Sequence, residues 1–253
     1  MIKDIRRKRR LVRLLAIGLG SLWALAACQA APGPGAETVV LVHGLGRSAR
    51  SLLLMESRLE SAGYRVVSFD YPSTTEPIER LVDSLASVVS GCCSEQTEKT
   101  HFVTHSMGGV LVRSYLAGAE VPYEGRVVMM SPPNQGSEIV DAFGSSPLWV
   151  TLVGPAGASL GTDSLSVPNQ LGPVSFPLGI IAGDRSVLPL GSWLIPGPDD
   201  GLVGVERAHV EGAVDFLVVP ATHTMIMNRA DVAVEVINFL RTGRFIDSDR
   251  EPD

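Results

Sequence analysis

Apolar and polar positions change their spacing several times along the chain. Short runs rich in β-branched and other apolar residues are typical of buried strands. Six such runs occur, at residues 38–44, 64–72, 100–105, 125–133, 176–184 and 214–222. Other segments carry apolar residues at helical spacing, namely 48–63, 75–89, 107–118 and 231–243. Strands that alternate with helices predict an α/β fold, in which helices flank a mostly parallel sheet on both faces.

One long segment, residues 137–176, interrupts this alternation. It is rich in Gly, Ser and Pro but also carries large apolar residues, among them Phe143, Leu148 and Trp149. Open parallel sheets bind ligands at the carboxyl ends of their strands, and an apolar insertion at that edge predicts a short lid. The alternative is a pair of short helices that fill a gap.

The first 27 residues differ in composition from the rest of the chain. A basic head, "KDIRRKRRLVR", precedes the apolar stretch "LLAIGLGSLWALAA", which is short for a bilayer span and ends in small residues. The pattern indicates an export signal, with an uncleaved amphipathic anchor as the alternative. The boundary "LAAC" resembles the bacterial lipobox. That resemblance implies a lipoprotein signal peptide over 1–27 and lipidation of Cys28. The Pro/Gly/Ala-rich composition of residues 28–36 indicates a tether, and we expect the folded domain to span 37–253.

The net charge of the chain limits which kinds of partner it can bind. The whole chain has a formal net charge of −6, and residues 1–27 contribute seven Lys/Arg and one Asp, a net of +6. The remainder therefore carries −12. Because binding to nucleic acid relies on Lys and Arg, this acidity argues against nucleic acid as a partner. We expect association with the bacterial cell envelope to come from the lipid on Cys28.

Cys92 and Cys93 are the only cysteines beyond Cys28. A disulfide between chain neighbours is strained, so we expect both to be structural or incidental. No group of Cys and His has zinc-ligand spacing, and no redox or phosphate-binding motif is present. The sequence therefore predicts neither a metal nor a cofactor.

The stretch "THSMGG", residues 104–109, joins a predicted strand to a predicted helix. Ser and Gly are ordinary turn residues. However, a sharp turn from strand to helix that exposes a serine is a nucleophile elbow, and a small residue after it lets helix and strand pack closely. Thr104 replaces the first glycine of the strict G-x-S-x-G pattern. We interpret Ser106 as the candidate nucleophile.

A nucleophilic serine needs a base, and the chain has five histidines. His43 and His105 are expected to shape local structure, His101 begins a strand, and His209 lies in a polar segment. His223, in "VVPATHTMIM", follows the last strand and precedes the last helix, which is the position a triad requires.

The ordered set "LVHGLG", "THSMGGVLVRSYL", "SPPNQGS", "PDDGLV" and "ATHTMIM" resembles the α/β-hydrolase superfamily, on its bacterial lipase and esterase side. The resemblance covers nearly all of residues 37–242 and is to compact members that lack the first two strands. It implies an oxyanion hole formed by the backbone N–H groups of Leu45 and Met107. It also implies a catalytic acid between the serine and the histidine in the chain.

Three aspartates are candidates for that acid. Asp200 begins "DGLV", which resembles the Asp-x-x-Val pattern of these hydrolases, and we favour it. Asp199 is adjacent, and Asp184 directly follows the predicted strand "LGIIAG", so both stay open as alternatives.

These residues predict a serine hydrolase that forms an acyl-enzyme. An apolar lid and a membrane-tethered location favour a small-molecule fatty-acyl ester or lipid as substrate, although the same triad could cleave a thioester or an amide. The alternative from another class is a non-catalytic envelope lipoprotein that binds acyl chains or a protein partner. The sequence carries no signal for an oligomeric state.

Overall fold

The computed structural model describes residues 35–93, 99–118, 124–144, 146–187 and 189–246. The predicted signal peptide, Cys28 and the tether up to residue 34 lie outside the described residues. Within the described ranges, no helix is both long enough and apolar enough to cross a bilayer.

Six parallel strands form a single sheet. They are β1 (Thr38–Val42), β2 (Arg65–Phe69), β3 (Thr100–His105), β4 (Val127–Met130), β5 (Leu178–Gly183) and β6 (Asp215–Val219). Their order across the sheet is β2-β1-β3-β4-β5-β6, and every adjacent pair is parallel. The six strands fall inside the six apolar runs of the sequence, and the predicted parallel α/β fold is confirmed.

Helices cover both faces of the sheet because parallel strands carry apolar side chains on both sides. The helices are α1 (Leu53–Ser61), α2 (Ile78–Cys92), α3 (Met107–Ala117), α4 (Glu138–Phe143), α5 (Pro147–Ala158), α6 (Val167–Gln170), α7 (Pro189–Leu194), α8 (Val205–Ala208) and α9 (Ala230–Thr242). In β1, Val39 and Leu41 pack in one cluster with buried residues of α1 and α9. Val40 and Val42, on the other face, pack with buried residues of α2 and α3.

The long crossover between β4 and β5 contains α4, α5 and α6. Its inner residues belong to the core, since Ile139, Val153 and Ala156 are buried. In contrast, Leu148 and Leu152 of α5 are 74% and 67% exposed. The predicted insertion is therefore helical and partly packed, and it leaves an apolar outer face.

A glycine kink divides α5. Gly154 has a φ of 69° and a ψ of −178° within the helix. A Cβ at this position would overlap the carbonyl oxygen of Thr74. Only glycine combines this backbone conformation with so close an approach, so the kink fixes where the first half of α5 leaves the core.

Cys92 and Cys93 are joined in a disulfide at the end of α2. The bond gives the two cysteines a structural role, which is one of the two roles expected from the sequence. Cys92 is the last helical residue, and Cys93 leaves the helix with a φ of −130° and a ψ of 22°. This change of backbone direction lets the two adjacent sulfurs meet.

Candidate active site

The sequence-predicted site residues meet at one edge of the sheet. Ser106 directly follows β3, Asp200 lies in the connection after β5, and His223 follows β6. Because all strands are parallel, their carboxyl ends share this edge, where open α/β sheets bind their ligands.

Ser106 occupies a strained turn between β3 and α3. Its φ is 54° and its ψ is −127°, a backbone conformation that non-glycine residues rarely adopt and that is typical of functional sites. The N–H of Ser106 donates to the carbonyl of Met130 at 2.9 Å, which anchors the turn to β4. Gly108 permits the turn, because a Cβ there would lie 2.5 Å from the carbonyl oxygen of Val42.

Hydrogen bonds connect the serine, the histidine and one aspartate. Nε2 of His223 lies 2.9 Å from Oγ of Ser106, and Nδ1 of His223 lies 2.8 Å from Oδ2 of Asp200. An ionised carboxylate can only accept, so the proton of the neutral imidazole belongs on Nδ1. Nε2 is then the acceptor for the serine hydroxyl, as a general base requires.

The backbone around Asp200 fixes its carboxylate. Oδ1 accepts from the N–H of Leu202 at 3.0 Å and of Val203 at 2.8 Å, and the N–H of His223 donates to the Asp200 carbonyl at 2.9 Å. Burial opposes ionisation of this carboxyl, but the charge and hydrogen bond of His223 and the backbone donors outweigh it. The pKa of Asp200 therefore lies below its ordinary value, and the group is an anion at neutral pH.

The other two candidate acids point elsewhere. Oδ1 of Asp199 accepts from Oγ of Ser192 at 3.1 Å and from the N–H of Gly201 at 2.7 Å. Asp184 pairs with Arg185 at 2.9 Å. Of the three aspartates that the sequence left open, the structure brings only Asp200 into contact with His223.

His105 supports the loop that carries His223. Its side chain is buried, and its Nε2–H donates to the backbone carbonyl of His223 at 2.8 Å. Burial, together with the neighbouring His223, lowers the pKa of His105 to about 3. His105 is thus neutral and keeps this donor throughout the physiological pH range. The sequence predicted a local structural role but not this contact across 118 positions.

His43 and Tyr71 orient the loop after β1. Nδ1–H of His43 donates to the carbonyl of Gly44 at 2.8 Å, and Nε2 accepts from the N–H of Tyr71 at 3.3 Å. The hydroxyl of Tyr71 donates to the carbonyl of His43 at 2.6 Å. In a trans peptide the N–H points opposite to the C=O. The N–H of Leu45 therefore faces away from His43.

The two N–H groups implied for an oxyanion hole have no acceptor among the described residues. Leu45 lines the same cavity as Ser106, and Met107 is the first residue of α3, where helical N–H groups lack intrahelical partners. Neither N–H donates to another described group. Both are therefore available to a ligand oxygen.

An apolar cavity of about 170 Å³ adjoins Ser106 and His223. It lies between the loop after β1 and the β4–β5 crossover. Its apolar wall is formed by Leu45, Ile139, Val140, Trp149, Leu160, Leu202 and Val203. The sequence pointed to the crossover, but it marked the "DGLV" segment only for its aspartate and not for Leu202 and Val203 as wall residues. Within the described ranges, no three His, Cys, Asp or Glu side chains cluster as metal ligands.

Comparisons with known proteins agree with this architecture. The mature form of lipase BlEst2 from Bacillus licheniformis is 20% identical, with a TM-score of 0.61 over 84% of this chain and 94% of that one. The Pyrococcus furiosus esterase Pf2001 is 21% identical, with a TM-score of 0.58 over 84% and 83% of the two chains. Phospholipase PlaB from Legionella pneumophila is 14% identical, with a TM-score of 0.64 over 83% of this chain and 60% of that one.

At these identities, the structural similarity concerns the fold. No curated protein sequence matches the chain significantly. Residues 39–235 match the Alpha/beta hydrolase family, and this range includes the strained serine, the buried aspartate and the histidine that joins them. The chain therefore belongs to the Alpha/beta hydrolase family.

Proposed function

We propose that the protein is a serine hydrolase that cleaves carboxylic esters, with fatty-acyl esters as its substrates. The observation that carries the proposal is the continuous set of hydrogen bonds from Asp200 through His223 to Ser106. It ends at a strained serine beside an apolar cavity.

In the proposed reaction, Oγ of Ser106 attacks the acyl carbonyl carbon while Nε2 of His223 takes the hydroxyl proton. Asp200 holds the Nδ1–H tautomer and stabilises the imidazolium that forms. The N–H groups of Leu45 and Met107 donate to the developing oxyanion. His223 then protonates the leaving alcohol, and water, activated by the same histidine, releases the acid from the acyl-enzyme.

The form of the cavity supports an acyl substrate. Its wall is apolar, and its volume of about 170 Å³ is below the roughly 300–1,000 Å³ of sites that enclose a drug-sized ligand. It therefore encloses only part of a long acyl chain. The exposed Leu148 and Leu152 on α5 offer an apolar surface outside it. The lipase, esterase and phospholipase among the structural neighbours support the same class of substrate.

The alternative is a non-catalytic lipoprotein that uses the same scaffold to bind acyl chains or a protein partner. A binding protein has no need to hold Ser106 at a φ of 54° or to leave two N–H groups free beside it, since strained backbone is retained chiefly where function requires it. These features favour catalysis. A thioester or amide substrate would use the same residues and the same acyl cavity, so the choice of ester rests on the lipase and the esterase among the structural neighbours.

A series of p-nitrophenyl esters of increasing acyl length tests the proposal. We expect measurable turnover, with a maximum at the chain length that fills the cavity. Absence of turnover across the series, with turnover of matched thioesters or amides, would assign a different acyl substrate. Absence of all three would favour the binding protein.

We also propose that the protein is anchored in a bacterial envelope through a lipid on Cys28, on the outer-membrane or periplasmic side. The support is the "LAAC" boundary and the residue after it, Gln29 rather than Asp, which resembles outer-membrane sorting. In cells fed labelled palmitate, Cys28→Ser should lose both the label and sedimentation with membranes. Cys92→Ser, which lies in the hydrolase domain, is the matched control and should keep both. Label retained by Cys28→Ser would exclude the anchor.

A further inference from the structure

We infer that the site prefers esters whose alcohol portion carries an anionic group, and that Arg47 recognises this group. The inference rests on the proposed ester hydrolase and adds the chemical class of its substrate. It starts from a cation at the rim of the cavity: Arg47 lines the cavity together with Ser106 and His223, and its side chain is exposed.

A tight turn fixes Arg47 beside the nucleophile. The N–H of Arg47 donates to the carbonyl of Gly44 at 3.3 Å, and Gly46, with a φ of 64°, supplies the positive φ that such a turn needs. The N–H of Gly46 donates to Oγ of Ser73 at 3.0 Å, which ties the turn to the neighbouring loop. The first and last Cα atoms of a β-turn lie within about 7 Å, and a Cβ on Gly44 would lie 3.0 Å from Cβ of Ser106.

The charge of Arg47 is unmatched within the described ranges. Two other arginines do have carboxylate partners: Arg185 pairs with Asp184 at 2.9 Å, and Arg207 pairs with Glu138 at 2.7 Å. No described carboxylate lies within ion-pair distance of Arg47, and no other charged side chain of the described residues lines the cavity apart from the titratable histidines. The rim of the cavity next to the serine therefore carries a guanidinium that has no carboxylate partner among the described residues.

The residues that line the cavity indicate which part of the ester Arg47 contacts. The side formed by α4, α5 and the segment after Asp200 is apolar and suits the acyl chain, because an anionic group there would lose its hydration without a partner. The alcohol portion is the remaining part of the substrate. A guanidinium binds phosphate or carboxylate oxygens through charge-assisted and often bidentate hydrogen bonds, so the recognised group is an oxyanion of either kind.

Three esters with the same hexanoyl group test this inference: hexanoyl glycerol, hexanoyl glycerol phosphate and the hexanoyl ester of a hydroxycarboxylic acid. The wild type should favour at least one anionic ester over the neutral one by about tenfold in kcat/KM. Arg47→Gln should bring that ratio close to one, and Arg47→Lys should keep part of it. Arg50→Gln is the matched control, because Arg50 is exposed on the short 3-10 helix that follows the turn but does not line the cavity, and it should keep the full ratio.

Comparison of the two anionic esters distinguishes recognition of a phosphate from recognition of a carboxylate. Added salt should lower the preference for an anionic ester, because the contact with Arg47 is solvent-exposed. The inference would be overturned if the wild type has a kcat/KM ratio of anionic to neutral ester near one for both anionic esters. It would also be overturned if Arg47→Gln keeps the wild-type ratio.

A binding measurement separates this inference from the proposed reaction. In the Ser106→Ala background, the Kd for hexanoyl glycerol phosphate should weaken about tenfold on Arg47→Gln. That result supports anion recognition even if no ester is cleaved. Equal Kd values would overturn it even if esters are cleaved.

Discussion

Asp199 and Asp200 are neighbours in the chain with different surroundings. The Asp200 carboxylate contacts His223 and two backbone N–H groups, whereas the Asp199 carboxylate contacts Ser192 and Gly201. Both side chains are buried. Their hydrogen-bond partners, rather than their burial, therefore distinguish a proposed catalytic acid from a carboxylate that stabilises its own loop.

Substitution of the three aspartates should reproduce this difference. Asp200→Asn removes the negative charge that stabilises the imidazolium and should lower kcat by several orders of magnitude, since the corresponding change in a serine protease costs a factor of about 10⁴. Asp199→Asn and Asp184→Asn should stay within about tenfold of the wild type, because neither carboxylate contacts His223. The measurement is the turnover of each purified variant, and urea unfolding checks that each variant is folded.

If Asp184→Asn or Asp199→Asn is the inactive variant while Asp200→Asn retains turnover, the acid is assigned to the wrong residue. An Asp200→Asn protein that unfolds at much lower urea would need comparison with Asp200→Glu, which should fold and recover part of the activity if the charge is what matters.

At the scale of residues, the sequence could identify candidate site residues but could not predict all the contacts between them. Ser106 and His223 were identifiable because each follows a recognisable strand. Asp200 could not be separated from Asp199 by pattern alone, because the choice depends on which backbone N–H groups face each carboxylate. The bond from His105 to the His223 carbonyl also depends on the tertiary fold.

Among the helices, α5 has one side in the cavity wall and another side exposed to solvent. Trp149 lines the cavity and its ring lies 5.4 Å from that of Phe143, while its neighbour Leu148 is 74% exposed. Gly154 then ends the first half of the helix at a kink. The helix therefore forms part of the cavity wall with one side and offers an apolar face to solvent with another.

Trp149→Ala should lower kcat/KM about tenfold or more on hexanoyl and longer esters and much less on acetate, because only the longer chains contact the ring. Val234→Ala is the control, because Val234 is an exposed apolar residue of α9 that does not line the cavity, and it should leave kcat/KM unchanged on every ester. The measurement is kcat/KM on p-nitrophenyl acetate, hexanoate and decanoate. Equal losses on all three esters in Trp149→Ala would mean that α5 is only structural.

The elements differ in how far sequence could predict them. The strands were predictable because each is a short, nearly continuous apolar run, and the long helices were predictable because their apolar residues recur at helical spacing and pack against the sheet. The 137–176 segment had no clear period, since α4 and α6 are short, Gly154 interrupts α5, and α5 is only partly buried. Its helical character and the kink at Gly154 arise from contacts with the rest of the fold, such as the approach to Thr74.

Across the whole molecule, burial keeps three histidines neutral. Desolvation lowers the pKa of His43, His101 and His105, and all three are fully or almost fully buried. In the unfolded chain they regain a pKa of about 6.5. Below that pH the unfolded state binds more protons than the folded state, so protonation favours unfolding.

The free energy of unfolding should therefore fall as pH decreases from about 7 to 5, by up to about 1.4 kcal/mol per pH unit for each of these histidines. Urea unfolding at about pH 7.5, 6.5 and 5.5, values that bracket the unfolded-state pKa, measures the slope. Carboxyl groups with a lowered pKa, such as Asp200, act in the same direction but only near and below about pH 4. A free energy of unfolding that stays constant or rises towards pH 5 would contradict the conclusion that these histidines are neutral in the folded protein.

The central claim, that Ser106 is an activated nucleophile, is tested most directly by a fluorophosphonate probe with mass-spectrometric mapping of the adduct. Ser137→Ala is the matched control, because Ser137 also lines the cavity but its hydroxyl donates to the Leu202 carbonyl at 2.7 Å. We predict an adduct on Ser106 in the wild type and in Ser137→Ala, and none in Ser106→Ala. Labelling of Ser106→Ala at the wild-type level, or an adduct on another serine, would contradict the account.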